Sequence, residues 1–142
     1  MHTAPATVLV IEKHPLMRAA LVNAIADEPD LTIAAITAEA GETRRIMESL
    51  QPQIVLFAIG NPGKDDLEAM LELRKLFPKT SILALTTHEV PGQEQAALAH
   101  GASLALAKTA LRVDLLQALR VTKTRMEHSV ENLSNPQRRD MG

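Results

Sequence analysis

With 142 residues, 46% of them hydrophobic, the chain is long enough for one domain with a genuine core and too short for two ordinary ones. A formal charge of -2 denies it the bulk positive footprint of a nucleic-acid binder, and the absence of cysteine removes disulfides, thiolate metal sites and thiol nucleophiles. No basic leader feeds an apolar signal region and no apolar run approaches the ~18 residues of a membrane span, so a cytoplasmic protein without membrane contact is expected.

Thr7 to Ile11 is the first strand-like run, after a short N-terminal extension of residues 1–6. It leads into Glu12-Lys13-His14, and Pro15 to Asp27 reads as an amphipathic helix, with proline at an early position where its missing N–H costs nothing. Leu16, Met17, Ala20, Leu21, Ala24 and Ile25 are expected to face a sheet. Ala19, Val22 and Ala26 leave the opposite side unusually apolar, a first candidate for a protein contact.

Leu31 to Thr37 and Glu39 to Leu50 repeat the strand and helix pattern. Gln53 to Ile59, a third strand, runs into Gly60-Asn61-Pro62-Gly63 with Ala58 near its end. That turn lacks the lysine and hydroxyl of a phosphate loop and the glycine spacing of a dinucleotide fingerprint. Asp65 to Phe77 forms the next helix, and the acids Asp65 and Asp66 at its start favour the helix dipole. Ser81 to Thr86, Val90 to His100, Ser103 to Lys108 and Leu111 to about Glu127 complete five βα units.

The last helix places Leu111, Leu115, Leu119, Thr122 and Met126 on one stripe and carries Arg112, Arg120, Lys123 and Arg125 against Asp114 and Glu127. Past Ser129 the chain turns polar, as a linker or tail would, so the domain is expected over residues 7–128 and the tail over residues 129–142.

Pro29, Pro52 and Pro78 follow the first three helices and Gly101 the fourth, where the chain must turn back into a strand. Continuous apolar strands joined by helical crossovers imply a parallel sheet covered on both faces. The expected fold is therefore α/β, a three-layer doubly wound (βα)5 domain of flavodoxin-like type, with strand order 2-1-3-4-5. Any site should lie beyond the carboxyl ends of its strands, among Glu12-Lys13-His14, the segment after Phe57, Thr86-Thr87 and Lys108-Thr109.

The segments Val8 to Arg18, Pro52 to Gly63, Ile82 to His88 and Gly101 to Lys108 resemble the receiver domain of bacterial two-component response regulators. The similarity is greatest to the branch usually followed by a helix-turn-helix DNA-binding domain, and it covers about residues 7 to 122. In that family an acidic pair after the first strand and an aspartate ending the third hold Mg²⁺ through oxygen ligands, and the aspartate accepts a phosphoryl group. A hydroxyl after strand four and a lysine after strand five bind the phosphoryl oxygens.

By this resemblance Thr86 and Lys108 match the hydroxyl and the lysine, and Glu12 matches the first acid. Lys13 replaces the second acid, Ala58 the phosphoacceptor, and Ala105 the aromatic switch residue three before the lysine. Ala58 supplies no nucleophile. Lys13 sets a cation where the metal would sit, a repulsion of ~2 kcal/mol at about 4 Å even in water. Mg²⁺ binding is expected to be very weak or absent, with an ion pair from Glu12 to Lys13 or Lys108 in its place, and Asp65 and Asp66 are expected to be a helix start rather than a relocated phosphoacceptor.

An enzyme is not expected: no serine lies in a nucleophile elbow, and His2, His14, His88, His100 and His128 lack metal-ligand spacing. The expected function is a phosphorylation-independent receiver acting as a protein interaction module in signalling. Its candidate surface is Leu16, Ala19, Val22, Ala26, Leu115 and Leu119, with a homodimer through the first and fifth helices and no direct nucleic-acid contact. The alternative is the N-terminal regulatory domain of a helix-turn-helix transcriptional regulator, and a flavodoxin-like ligand-binding or catalytic domain is weakened because only Phe57 and Phe77 are aromatic.

Overall fold

The computed structural model describes residues 4–110 and 112–133. Its elements alternate in chain order: β1 (Ala6–Ile11), α1 (Pro15–Ala26), β2 (Leu31–Thr37), α2 (Thr43–Leu50), β3 (Ile54–Ala58), α3 (Lys64–Leu76), β4 (Ser81–Thr86), α4 (Gln93–Ala99), β5 (Leu104–Ala107) and α5 (Arg112–Leu133). All strand pairs are parallel and the order is β2-β1-β3-β4-β5, the topology expected for a doubly wound sheet. Parallel strands need crossovers, and each crossover here is a helix that covers one face.

Because side chains alternate across a strand, the two faces collect different residues. Val8, Val10, Leu56, Ala58, Leu83 and Leu85 point to the face covered by Leu21 and Ile25 of α1 and by Leu115 and Leu119 of α5. Leu9, Ile11, Val55, Phe57, Ile82 and Ala84 point to the other, under Met47, Met70, Leu73 and Ala97 of α2, α3 and α4. Each fully buried Leu or Ile contributes roughly 1.5–3 kcal/mol of transfer free energy, so the three central strands carry most of the driving force. The pairing of Val8 with Ile54 and Ile11 with Phe57, then Ala58 with Leu85, brings the strand ends level and their loops together.

Three helix starts differ from the sequence pattern. Residues Ala40–Glu42 form a separate 3-10 turn before α2, because the Thr37 hydroxyl accepts the Glu39 N–H (3.1 Å) and ties that entry to β2. Helix α4 begins at Gln93 rather than Val90, since Gly92 takes a left-handed φ of 76° that a helix cannot contain. Helix α3 begins one residue early, at Lys64, with Gly63 left-handed before it.

Helix α1 buries Leu21 and Ile25 and packs Met17 and Ala24 beside them, the stripe i, i+4, i+7, i+8. Leu16 and Ala20, expected to face the sheet, are exposed instead; Leu16 lies a third of a turn from Met17 in the first turn and is 88% accessible. The reverse correction applies on α5. Leu115 and Leu119, expected on an interaction surface, are both buried as part of the stripe that seats α5 on the sheet. Helix α5 continues to Leu133, past Ser129. The expectations for Leu111, His2 and residues 134–142 lie outside the described residues, as does that for the His128 side chain.

Candidate functional site at the carboxyl edge of the sheet

The strands end on one edge, and their loops are joined there by a set of polar side-chain contacts. Glu12, immediately after β1, is 1% exposed. Its Oε1 accepts the His14 N–H (3.1 Å), which draws the carboxylate back onto its own turn, while Oε2 has no hydrogen-bond partner among the described residues. His14 occupies the N-cap position of α1 without a side-chain cap, and Pro15 follows it. Arg18 reaches back from α1 to donate to the Glu12 carbonyl at 3.1 Å.

Lys13 does not pair with Glu12, nor does Lys108. The Lys13 ammonium crosses to α3 and donates to Asp66 Oδ1 at 3.1 Å. Asp66 stands in the first turn of α3, as expected of a helix start, but it is buried and also joins the loop cluster. Its Oδ2 accepts the Gly60 N–H at 2.8 Å. The Gly60 carbonyl in turn accepts Gln93 Nε2 (2.9 Å), and Gln93 Oε1 accepts the Thr87 N–H (2.8 Å). One connected path therefore runs from the β1–α1 loop through α3 and the β3–α3 turn to the start of α4 and the end of β4.

Two more bridges flank it. Asn61 Nδ2 donates to Glu89 Oε2 at 2.8 Å, and His88 Nε2 lies 2.8 Å from Thr109 Oγ1. Gly63 lets the turn fold this tightly: a Cβ there would come within 2.7 Å of the Gly60 carbonyl and 2.9 Å of Gln93 Nε2, and its φ is 86°.

Ala58 ends β3 among apolar neighbours and is 8% exposed. Thr86 is buried at the end of β4, its hydroxyl 3.5 Å from the Leu106 carbonyl, and the Lys108 N–H donates to the Thr86 carbonyl at 2.8 Å. Ala105 packs on the α2–α3–α4 face rather than offering a ring that could change rotamer. Glu12, Lys13, Ala58, Thr86 and Lys108 thus all belong to one edge, but Asp66 and Gln93 provide the contacts that connect it.

A divalent cation such as Mg²⁺ is held through oxygen donors in a near-octahedral shell. Among the described residues no group of three or more His, Cys, Asp or Glu converges on a metal position. Glu12 Oε2 is an available buried oxygen, but Asp66 already holds an ammonium and a backbone N–H, and Ala58 contributes no ligand. This donor set does not fit a hard divalent ion.

Charge is organised differently on α5. Arg120 donates to Asp30 Oδ2 (2.9 Å) and Oδ1 (3.0 Å) and also to Glu28, while Arg112 Nη2 lies 3.5 Å from Glu28. The bonded Arg120 guanidinium holds the Asp30 carboxyl below its ordinary range, and Asp30 and Glu28 together raise Arg120 above its own. The basic bias of the last helix is therefore largely engaged by the α1–β2 turn.

Five parallel strands in this order, joined by helical crossovers and carrying a polar cluster at the carboxyl edge, define a doubly wound domain of the flavodoxin-like type. Residues 8–120 match the response regulator receiver domain family, and the chain belongs to it. It is 32% identical over 117 residues to the nitrate/nitrite response regulator protein NarL of Escherichia coli K12, an alignment covering 81% of this chain and 53% of that protein. The chain thus spans about half the length of the curated relatives it matches. A two-component response regulator of the LuxR family from Aurantimonas sp. superposes with a TM-score of 0.73 at 27% identity, over 83% of this chain and 84% of the other. A CheY-like receiver domain protein from Methanospirillum hungatei gives 0.78 at 20% identity, over 89% and 99%, and supports the fold alone.

Proposed function

We propose that this chain is a phosphorylation-independent receiver, a cytoplasmic, non-enzymatic interaction module of a two-component-type regulator, and that it binds Mg²⁺ very weakly or not at all. The observation that carries the proposal is the chemistry at the end of β3: Ala58 offers a methyl group where an acceptor would need a carboxylate, and the buried acid in the neighbouring helix is engaged by Lys13. A carboxylate in that state is a poor nucleophile toward a phosphoryl donor, because its lone pairs are already directed at an ammonium and a backbone N–H. Incubation with acetyl phosphate and Mg²⁺ followed by intact-mass measurement tests this: the unmodified mass supports it, and a stoichiometric aspartyl phosphate overturns it.

Signalling then passes through protein contacts. The exposed apolar residues Leu16, Ala19 and Ala26 on α1, with half-buried Val22, form the surface this reading uses, joined by exposed Val113 and Val121 on the neighbouring α5. A homodimer through these two helices is one form of that contact. Leu16→Glu leaves stability nearly unchanged and abolishes it; an unchanged sedimentation coefficient and partner recovery would remove α1 from the proposal.

The second reading, the regulatory domain of a helix-turn-helix transcriptional regulator, is favoured by the branch of the relatives and by their greater length. The reading frame downstream of Gly142 in the encoding gene decides it.

A further inference from the structure

Gly60 is unusual in that both of its backbone polar groups are taken by side chains from different helices. Asp66 of α3 accepts its N–H at 2.8 Å, and Gln93 of α4 donates to its carbonyl at 2.9 Å. Neither side chain is an exposed decoration: both are buried polar residues with two partners each. Buried amides and carboxylates are costly when unpaired, so the satisfied arrangement is strongly preferred over any in which α4 moves away from the β3–α3 turn.

We propose that Asp66 and Gln93, joined through Gly60 and anchored by Lys13 and the Thr87 N–H, form a built-in clamp that fixes the start of α4 against the β3–α3 turn without metal or phosphoryl group. Lys13 supplies the positive charge opposite Asp66 from a tethered side chain, its ammonium 3.1 Å from Oδ1. Gln93 is the movable half. Helix α4 is short, spanning Gln93–Ala99, and its entry contains Pro91 and the left-handed Gly92, so the Gln93 amide is the side chain that ties its start to the β3–α3 turn. Releasing Gln93 frees the Thr87 N–H and the Gly60 carbonyl together. The clamp stands whether or not the chain accepts a phosphoryl group, so its failure and the failure of the proposed function are separate results.

Amide hydrogen exchange resolved by residue on the whole chain tests the clamp. Gln93→Ala removes both bonds, and Gln93→Glu keeps an acceptor for Thr87 while removing the donor to Gly60. Gln93→Ala is expected to raise exchange at Thr87 and along residues 93–99 roughly ten- to thirtyfold, the loss of two buried hydrogen bonds, with β1 and β3 amides near wild type. Gln93→Glu should give the α4 effect while Thr87 stays more protected than in the alanine variant. The wild-type pattern should be the same in EDTA as in millimolar Mg²⁺. Exchange within twofold of wild type along α4 in both variants overturns the clamp, as does a uniform rise across the whole sheet, which marks Gln93 as a general stability residue. Wild-type protection at Thr87 that depends on Mg²⁺ overturns it as well.

Discussion

Restoring a carboxylate at the end of β3 should not by itself restore phosphorylation. Ala58→Asp places an acid among Val10, Leu56 and Leu85 at a position only 8% exposed, and without a cation to meet it the change destabilises the fold by about 1–3 kcal/mol. The deficit in metal binding comes from Lys13. Its side chain is 61% exposed, so a water-like dielectric is appropriate, and a divalent ion about 4 Å from the ammonium meets a repulsion of ~2 kcal/mol, roughly thirtyfold in affinity. Lys13→Asp converts that repulsion into an attraction of similar size and releases Asp66, so the two proteins should differ by about 4 kcal/mol in Mg²⁺ binding before screening. Intact-mass spectrometry after acetyl phosphate and Mg²⁺ reads the consequence: little phosphoprotein for Ala58→Asp, substantially more for Ala58→Asp with Lys13→Asp. Equal occupancy in the two variants would refute the electrostatic reasoning.

Arg74 donates to three backbone carbonyls, Gly101 (2.9 Å), Pro78 (3.0 Å) and Thr80 (2.6 Å), so Arg74→Ala should cost about 2–3 kcal/mol in denaturant unfolding, and Arg74→Lys, lacking the planar fork, should recover less than half of it. Gly63→Ala should lower stability by about 2 kcal/mol or more, since its Cβ meets backbone at 2.7 Å and its φ is left-handed; a neutral effect would show that the turn relaxes freely. The Asp30 carboxyl, held low by Arg120, contributes stability that is present above the unfolded value of 3.8 and lost as pH falls through its lower folded value. Discounted for solvent, because both partners are about a third or more exposed, Arg120→Ala should cost about 1 kcal/mol at pH 7, a difference that shrinks below about pH 4 in urea unfolding. A difference that persists unchanged to pH 2 contradicts that assignment.

Much of the fold was legible because its signals are local. Apolar β-branched runs mark the strands, and Pro29, Pro52, Pro78 and Gly101 follow four of the helices, so the topology followed from general packing rules. The boundaries that moved did so through single backbone events, the left-handed Gly92 before α4 and the Thr37 hydroxyl before α2. Helix faces were harder. An alanine-rich helix such as α1 has no polar face to fix its rotation, and whether Leu16 or Met17 turns inward depends on where the first turn overhangs the sheet. Leu115 and Leu119 show the converse, since a leucine stripe marks a buried seam more readily than a docking surface.

The site was legible in its location and in its residue types, but not in its wiring. Glu12, Lys13, Thr86 and Lys108 fall at strand ends and could be placed by topology. The partner of Lys13 could not, because Asp66 is 53 positions away and a helix-start acid has a sufficient local reason to be there. Gln93 gave no signal at all: a glutamine within the helix expected from Val90 to His100 is ordinary, and only the approach of α4 to Gly60 gives its amide two buried partners.

The most direct test of the claim that side-chain contacts have replaced acid-site chemistry is an NMR titration of the wild-type chain with Mg²⁺ and acetyl phosphate, following the Gly60 and Thr87 amides. Both N–H groups are already donated to carboxylate and amide oxygens, at 2.8 Å each, so their resonances should stay in place through millimolar additions. Saturable shifts at these two amides would contradict the claim, for they would mean that the edge of the sheet still takes up the ion or the phosphoryl group.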